Sequence, residues 1–164
     1  LDGSLPPFIV VMPYDPGWPD PADGNYDKAI AEQLVPWIEK EYSVRTERDY
    51  RAIGGLSRGS GWAFHTVMRY PSLFSVLGIH SPAFFRTDRR TAEDQIILLA
   101  QKKPVRFILD IGDQDPEFNY ATRLEGYLTA NGIEHSWSAS PGTHSEAYWR
   151  QHLAGYLKDY SRNW

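Results

Sequence analysis

The 164-residue sequence contains no cysteine. That excludes disulfides, a thiolate nucleophile and any Cys-ligated zinc, and it fits a reducing or an oxidising compartment equally well. An excess of positive charge is also missing. Seventeen basic and twenty-one acidic side chains leave a net charge of −4, which offers no basic footprint for nucleic acid. Long hydrophobic runs are absent too. The longest aliphatic stretches, residues 9–12 and 96–100, fall far short of the roughly 20 residues that cross a bilayer. Neither an initiator methionine nor a basic-then-apolar leader stands ahead of Asp2, so the chain reads as trimmed or cut from something longer. What it does have is 41% hydrophobic residues, including six Trp, ten Tyr and seven Phe. That is enough for one real core and a carved pocket in a chain of single-domain length.

Along the chain, apolar strand-like runs alternate with segments of helical period. Residues 8–12 are apolar on both faces and predict a buried parallel strand. A Pro-, Gly- and Asp-dense loop follows over 13–24. Tyr26, Ile30, Leu34, Trp37 or Ile38, and Tyr42 then share one helical stripe, with Pro36 expected to kink it. Strands are predicted over 50–56, 74–79 and 105–111, and an edge strand over 133–138. Helices are predicted after Ser57, over 96–100 behind a Thr91/Asp94 capping box, around Leu124, and from Trp149 to Tyr160. This alternation implies one α/β domain, a mostly parallel sheet with helices on both faces.

Gly55-Leu56-Ser57-Arg58-Gly59 matches G-x-S-x-G between a strand and a helix, the one context in which that motif exposes a nucleophilic hydroxyl. Two phosphate-binding readings of the same stretch fail. Ser60 stands where a P-loop needs Lys, and Phe64 where a dinucleotide fingerprint needs Gly. A serine nucleophile needs a base, and the base needs an orienting acid. Gly112-Asp113-Gln114-Asp115 and Pro141-Gly142-Thr143-His144 each follow a predicted strand, in the order serine, acid, histidine. His144 alone among five histidines lies in a glycine-containing loop after the last strand. His65, His80, His135 and His152 fall inside helices or strands. Asp113 and Asp115 compete for the acid, with Asp113 also suited to turn formation. Asp110 lies within the strand pattern.

The stretch 51–59, with Tyr70-Pro71 and 74–83 behind it and Leu34-Val35-Pro36-Trp37 before it, resembles the putative-esterase family of α/β-hydrolases. Feruloyl and acetyl-xylan esterases, S-formylglutathione hydrolases, enterobactin esterases and mycolyltransferases belong there. The resemblance runs from about Pro6 to Trp149. It implies an α/β-hydrolase fold and a catalytic serine at Ser57. The family's acid, three residues past a strand-ending glycine, falls on Asp115, and its histidine falls on His144. One oxyanion donor is implied at the backbone N–H of Arg58. No metal or cofactor is implied, and the substrate would be a small-molecule or carbohydrate-linked ester. Acyl transfer and a non-catalytic binding module are the alternatives.

Two departures stand out. Ser60 replaces a usual glycine, and the Gly-rich turn that supplies the family's second oxyanion N–H does not precede residues 6–13. The fold is therefore expected to be N-terminally incomplete. A bare sheet edge would then need an N-terminal segment or a dimer contact to cover it. Tyr14, Trp18, Phe84 and Phe85 are the expected pocket walls.

Overall fold

The computed structural model describes residues 5–15 and 19–164. Four parallel strands, β1 (Ala52–Leu56), β2 (Val76–His80), β3 (Arg106–Gly112) and β4 (His135–Ser140), lie side by side in chain order. The register pairs Leu56 with His80, His80 with Asp110 and Asp110 with Ser138. The strand ends thus form one row at the carboxyl edge. Short helices α1 (Tyr26–Ala29) and α2 (Val35–Glu41) precede β1. Then α3 (Arg58–Arg69), α4 (Arg86–Lys102) and α5 (Phe118–Ala130) connect the strands, and α6 (Glu146–Tyr160) closes the chain.

Strand residues alternate between two faces, and the two faces are filled differently. Leu77, Ile79, Phe107 and Leu109 point into one apolar cluster with Phe64, Val67, Ile96, Leu124 and Leu128 from α3, α4 and α5. Each such side chain contributes about 1.5–3 kcal/mol on full burial, so this face dominates stability. The other face lies under α6 and is polar in part. Asp110 accepts hydrogen bonds there from the Tyr148 hydroxyl at 3.2 Å and the Tyr156 hydroxyl at 2.5 Å. Tyr160 fits over Gly54 and Gly78, where an added Cβ would meet its hydroxyl at 1.9 and 2.0 Å.

Two sequence expectations are corrected here. Residues 8–12 form no strand and have no sheet partner among the described residues; Ile9, Val10, Val11 and Met12 are 40–87% exposed. Apolar β-branched residues favour extended backbone, but a strand also needs a neighbour for its hydrogen bonds, and among the described residues β1 pairs only with β2. The helical stripe carrying Pro36 is not one regular α-helix: a π-turn over Ile30–Leu34, closed by the Val35 N–H donating to the Ile30 carbonyl, interrupts it just before the proline, which is the second residue of α2. The Thr91/Asp94 capping box is absent as well. Helix α4 begins at Arg86, and Thr91 lies inside it, donating to the Thr87 carbonyl.

Candidate active site

Ser57 sits between the end of β1 and the start of α3 with φ 52° and ψ −121°. A positive φ on a non-glycine residue costs about 1–3 kcal/mol and persists only where the surroundings impose it. Here they do. The Ser57 N–H donates to the His80 carbonyl at 2.9 Å, extending the β1–β2 ladder, while its own carbonyl accepts from the Ser60 N–H at 2.9 Å to start the helix. Gly55 makes the turn sterically feasible, since a Cβ there would lie 2.1 Å from the Gly59 carbonyl carbon. Gly59 itself faces open space. The tight contact of the helix is at Gly61, where a Cβ would meet the Ala83 carbonyl at 2.7 Å.

The strained turn places the Ser57 hydroxyl 2.7 Å from His144 Nε2, and His144 Nδ1 lies 2.8 Å from Asp115 Oδ2. A carboxylate only accepts, so Nδ1 carries the proton and donates to Asp115. Nε2 is then left to accept from the serine. The second oxygen of Asp115 accepts the Glu117 N–H at 2.9 Å, and the carboxylate is fully buried, whereas the imidazole remains 29% exposed. A buried, doubly held acid beneath a half-open histidine and a strained serine can remove a proton from the hydroxyl and return it. Arg58 opens α3, so its backbone N–H belongs to the first turn, where N–H groups and the helix dipole face an anion.

The loops that carry the acid and the histidine are fastened to each other. Gly142 donates to Asp113 Oδ1 at 3.1 Å, and its carbonyl accepts from the Gln114 N–H at 2.8 Å. Asp113 is therefore a clip between the loops, a role its turn-forming character suggested only in outline. Ser60, the departure from glycine, is buried. It donates to the Ser57 carbonyl at 2.6 Å and accepts the Ala83 N–H at 3.2 Å, tying the segment after β2 to the Ser57 turn. Its spacing of three from Ser57, inside a first helical turn, was the available sequence signal.

The remaining histidines are engaged elsewhere. His65 Nδ1 pairs with Asp88 at 2.9 Å, and His135 and His152 donate to the carbonyls of Ile133 and Tyr148. His80 is buried beneath α6, and desolvation pushes its pKa down to about 3.

The aromatic pocket expectation needs correction. Phe84 belongs to the core, stacked on Phe64 at 4.3 Å. Phe85 is equally buried, packing on Trp62 at 4.7 Å and under the Arg58 guanidinium at 4.9 Å. Two consecutive phenylalanines leaving a central strand reach apolar neighbours on the helix side before they reach solvent. Tyr14 is 81% exposed. Its loop is held to α3 by Asp15, which accepts from Arg58 Nε at 2.9 Å and Trp62 Nε1 at 2.8 Å. Trp18 lies outside the described residues. A cavity of about 990 Å³ opens at the far end of the sheet beside Tyr50, Arg106 and Trp164, and none of Ser57, Asp115 and His144 lines it. Among the described residues, no helix is long and apolar enough to cross a membrane.

A family described as Putative esterase matches residues 8–160. An endo-1,4-beta-xylanase/feruloyl esterase of Xylanibacter ruminicola is 26% identical over 163 residues, which is 93% of this chain and 21% of that protein. Esterase Rv1288 of Mycobacterium tuberculosis is 34% identical over 91 residues, 50% of this chain and 20% of its own length. Among solved structures, a ferulic acid esterase superposes with a TM-score of 0.72 at 21% identity, covering 84% of this chain and 61% of its own. An S-formylglutathione hydrolase from Staphylococcus aureus gives 0.71 at 18% identity, with the same coverage of 84% and 61%. An enterobactin esterase from Shigella flexneri gives 0.70 at 19% identity, covering 87% of this chain and 39% of its own. The fold is that of the α/β-hydrolase esterases. The chain spans about a fifth of the curated relatives and about 60% of the first two solved structures.

Proposed function

The chain belongs to the Putative esterase family, and from that membership we propose that it carries the catalytic site of a serine carboxylester hydrolase, with Ser57, His144 and Asp115 as its triad. The observation that carries the reading is the unbroken hydrogen-bond relay from Asp115 through His144 to Ser57, at 2.8 and 2.7 Å.

In this reading Ser57 Oγ attacks the ester carbonyl while His144 Nε2 takes its proton. Asp115 holds the imidazole in the tautomer that leaves Nε2 open and stabilises the imidazolium that forms. Negative charge developing on the carbonyl oxygen meets the Arg58 N–H at the positive end of α3. His144 then gives its proton to the departing alcohol, leaving an acyl group on Ser57. Water, deprotonated by the same imidazole, attacks the acyl carbonyl and frees the acid and the serine. The substrate class is a small-molecule or carbohydrate-linked ester, with Tyr14 and Trp18 as candidate contacts.

The test is turnover of a short-chain nitrophenyl ester alongside labelling by a fluorophosphonate, which phosphonylates an activated serine and expels fluoride. Turnover together with labelling confined to Ser57 supports the proposal. Labelling of Ser60 or Ser81 with Ser57 untouched overturns it.

A further inference from the structure

Ser57 and Ser81 are the two non-glycine residues with positive φ among those described, at 52° and 51°. Their positions correspond. Leu56 pairs with His80 in the sheet, and the two serines are the next residue on each strand. Ser81 is fully buried, and its N–H donates to the Asp110 carbonyl at 2.8 Å. Its Oγ accepts from Trp149 Nε1 at 2.9 Å. The Trp149 indole in turn stands nearly perpendicular to the His144 imidazole, with centroids 5.0 Å apart and planes at 82°.

We infer that Ser81 and Trp149 are a positioning pair for His144, a step that rests on the triad proposed above. The bond to Asp115 fixes one imidazole atom but still lets the ring swing about the Nδ1···Oδ2 line. The indole blocks that swing, and it can do so only if it is itself held. Ser81 holds it through the single N–H of the indole ring. This accounts for a serine in a conformation that glycine adopts at no steric cost: glycine would relieve the strain but bring no oxygen to the indole.

Ser81→Gly, Trp149→Phe and the double variant test the pair, with the full chain as reference. Removing either partner is expected to lower kcat about ten- to a hundredfold with little change in KM, the scale set by slight misplacement of a reacting group. The double variant is expected to lose no more than the worse single variant, because both remove the same hydrogen bond. Ser81→Gly is also expected to melt no lower than the parent, since a positive φ suits glycine; a merely structural role predicts the reverse.

Wild-type kcat in Ser81→Gly, or additive losses in the double variant, would overturn the pairing. If the parent neither turns over an ester nor labels at Ser57, the esterase reading fails, and proton NMR of the His144 Nδ1–H still decides the pairing. A signal sharp in the parent and broadened in both single variants supports it, and an unchanged signal refutes it.

Discussion

Gly142 donates its backbone N–H to Asp113 Oδ1 at 3.1 Å, so the carboxylate two residues before Asp115 holds the loop of His144 rather than the imidazole. The two acids of one short turn divide the work. Asp115 orients the imidazole from below, and Asp113 closes the loop that carries it.

Substitution separates the two roles. Asp115→Asn would present an amide to Nδ1 and favour the wrong imidazole tautomer, a change that costs about 10⁴ in kcat in a comparable triad. Asp113→Asn keeps an oxygen for Gly142 and is expected to lose less than tenfold. Steady-state kinetics on both variants checks this, and equal losses would reverse the assignment of the acid.

Ser57→Ala is expected to abolish fluorophosphonate labelling and to lower ester turnover by up to about 10⁶, the scale seen when a triad nucleophile is removed. Its melting temperature is expected to change little, because alanine keeps the backbone hydrogen bonds to the His80 carbonyl and from the Ser60 N–H that hold the turn. Intact-mass spectrometry and a thermal melt measure both.

His80 carries a pH dependence of stability. Burial pushes its pKa down to about 3, below the roughly 6.5 of an exposed histidine. Between these values the unfolded chain binds a proton that the folded chain excludes. The stabilising contribution is therefore complete above about pH 6.5 and is lost progressively as pH falls toward 3. Urea midpoints measured from pH 7 to pH 4 are expected to drop, and His80→Phe, which keeps a ring against Tyr156, is expected to flatten that slope.

Gly54 and Gly78 leave the space that Tyr160 occupies. Gly54→Ala would drive a methyl group into its hydroxyl and is expected to destabilise the fold by about 1–3 kcal/mol, the usual penalty of overpacking. Tyr160→Phe in the same chain is expected to recover part of that loss. Chemical denaturation of the single and double variants provides the comparison.

Features set by local chemistry were legible in the sequence. The turn at Gly55–Gly59 between β1 and α3 depends on backbone conformation within a few residues, and the residue types record it. Tertiary structure decided what depends on neighbours distant in the chain. Residues 8–12 have strand composition but no strand, because a ladder needs a partner that composition cannot supply. Two carboxylates spaced by one residue are equivalent until a second loop arrives and gives one of them an imidazole and the other an N–H. Phe84 and Phe85 could have walled a pocket until the packing of α3 drew them inward. Ser60, Ser81 and Trp149 acquire their roles only through contacts 23 to 68 residues away, where direction and distance, which no local pattern encodes, determine what a side chain does.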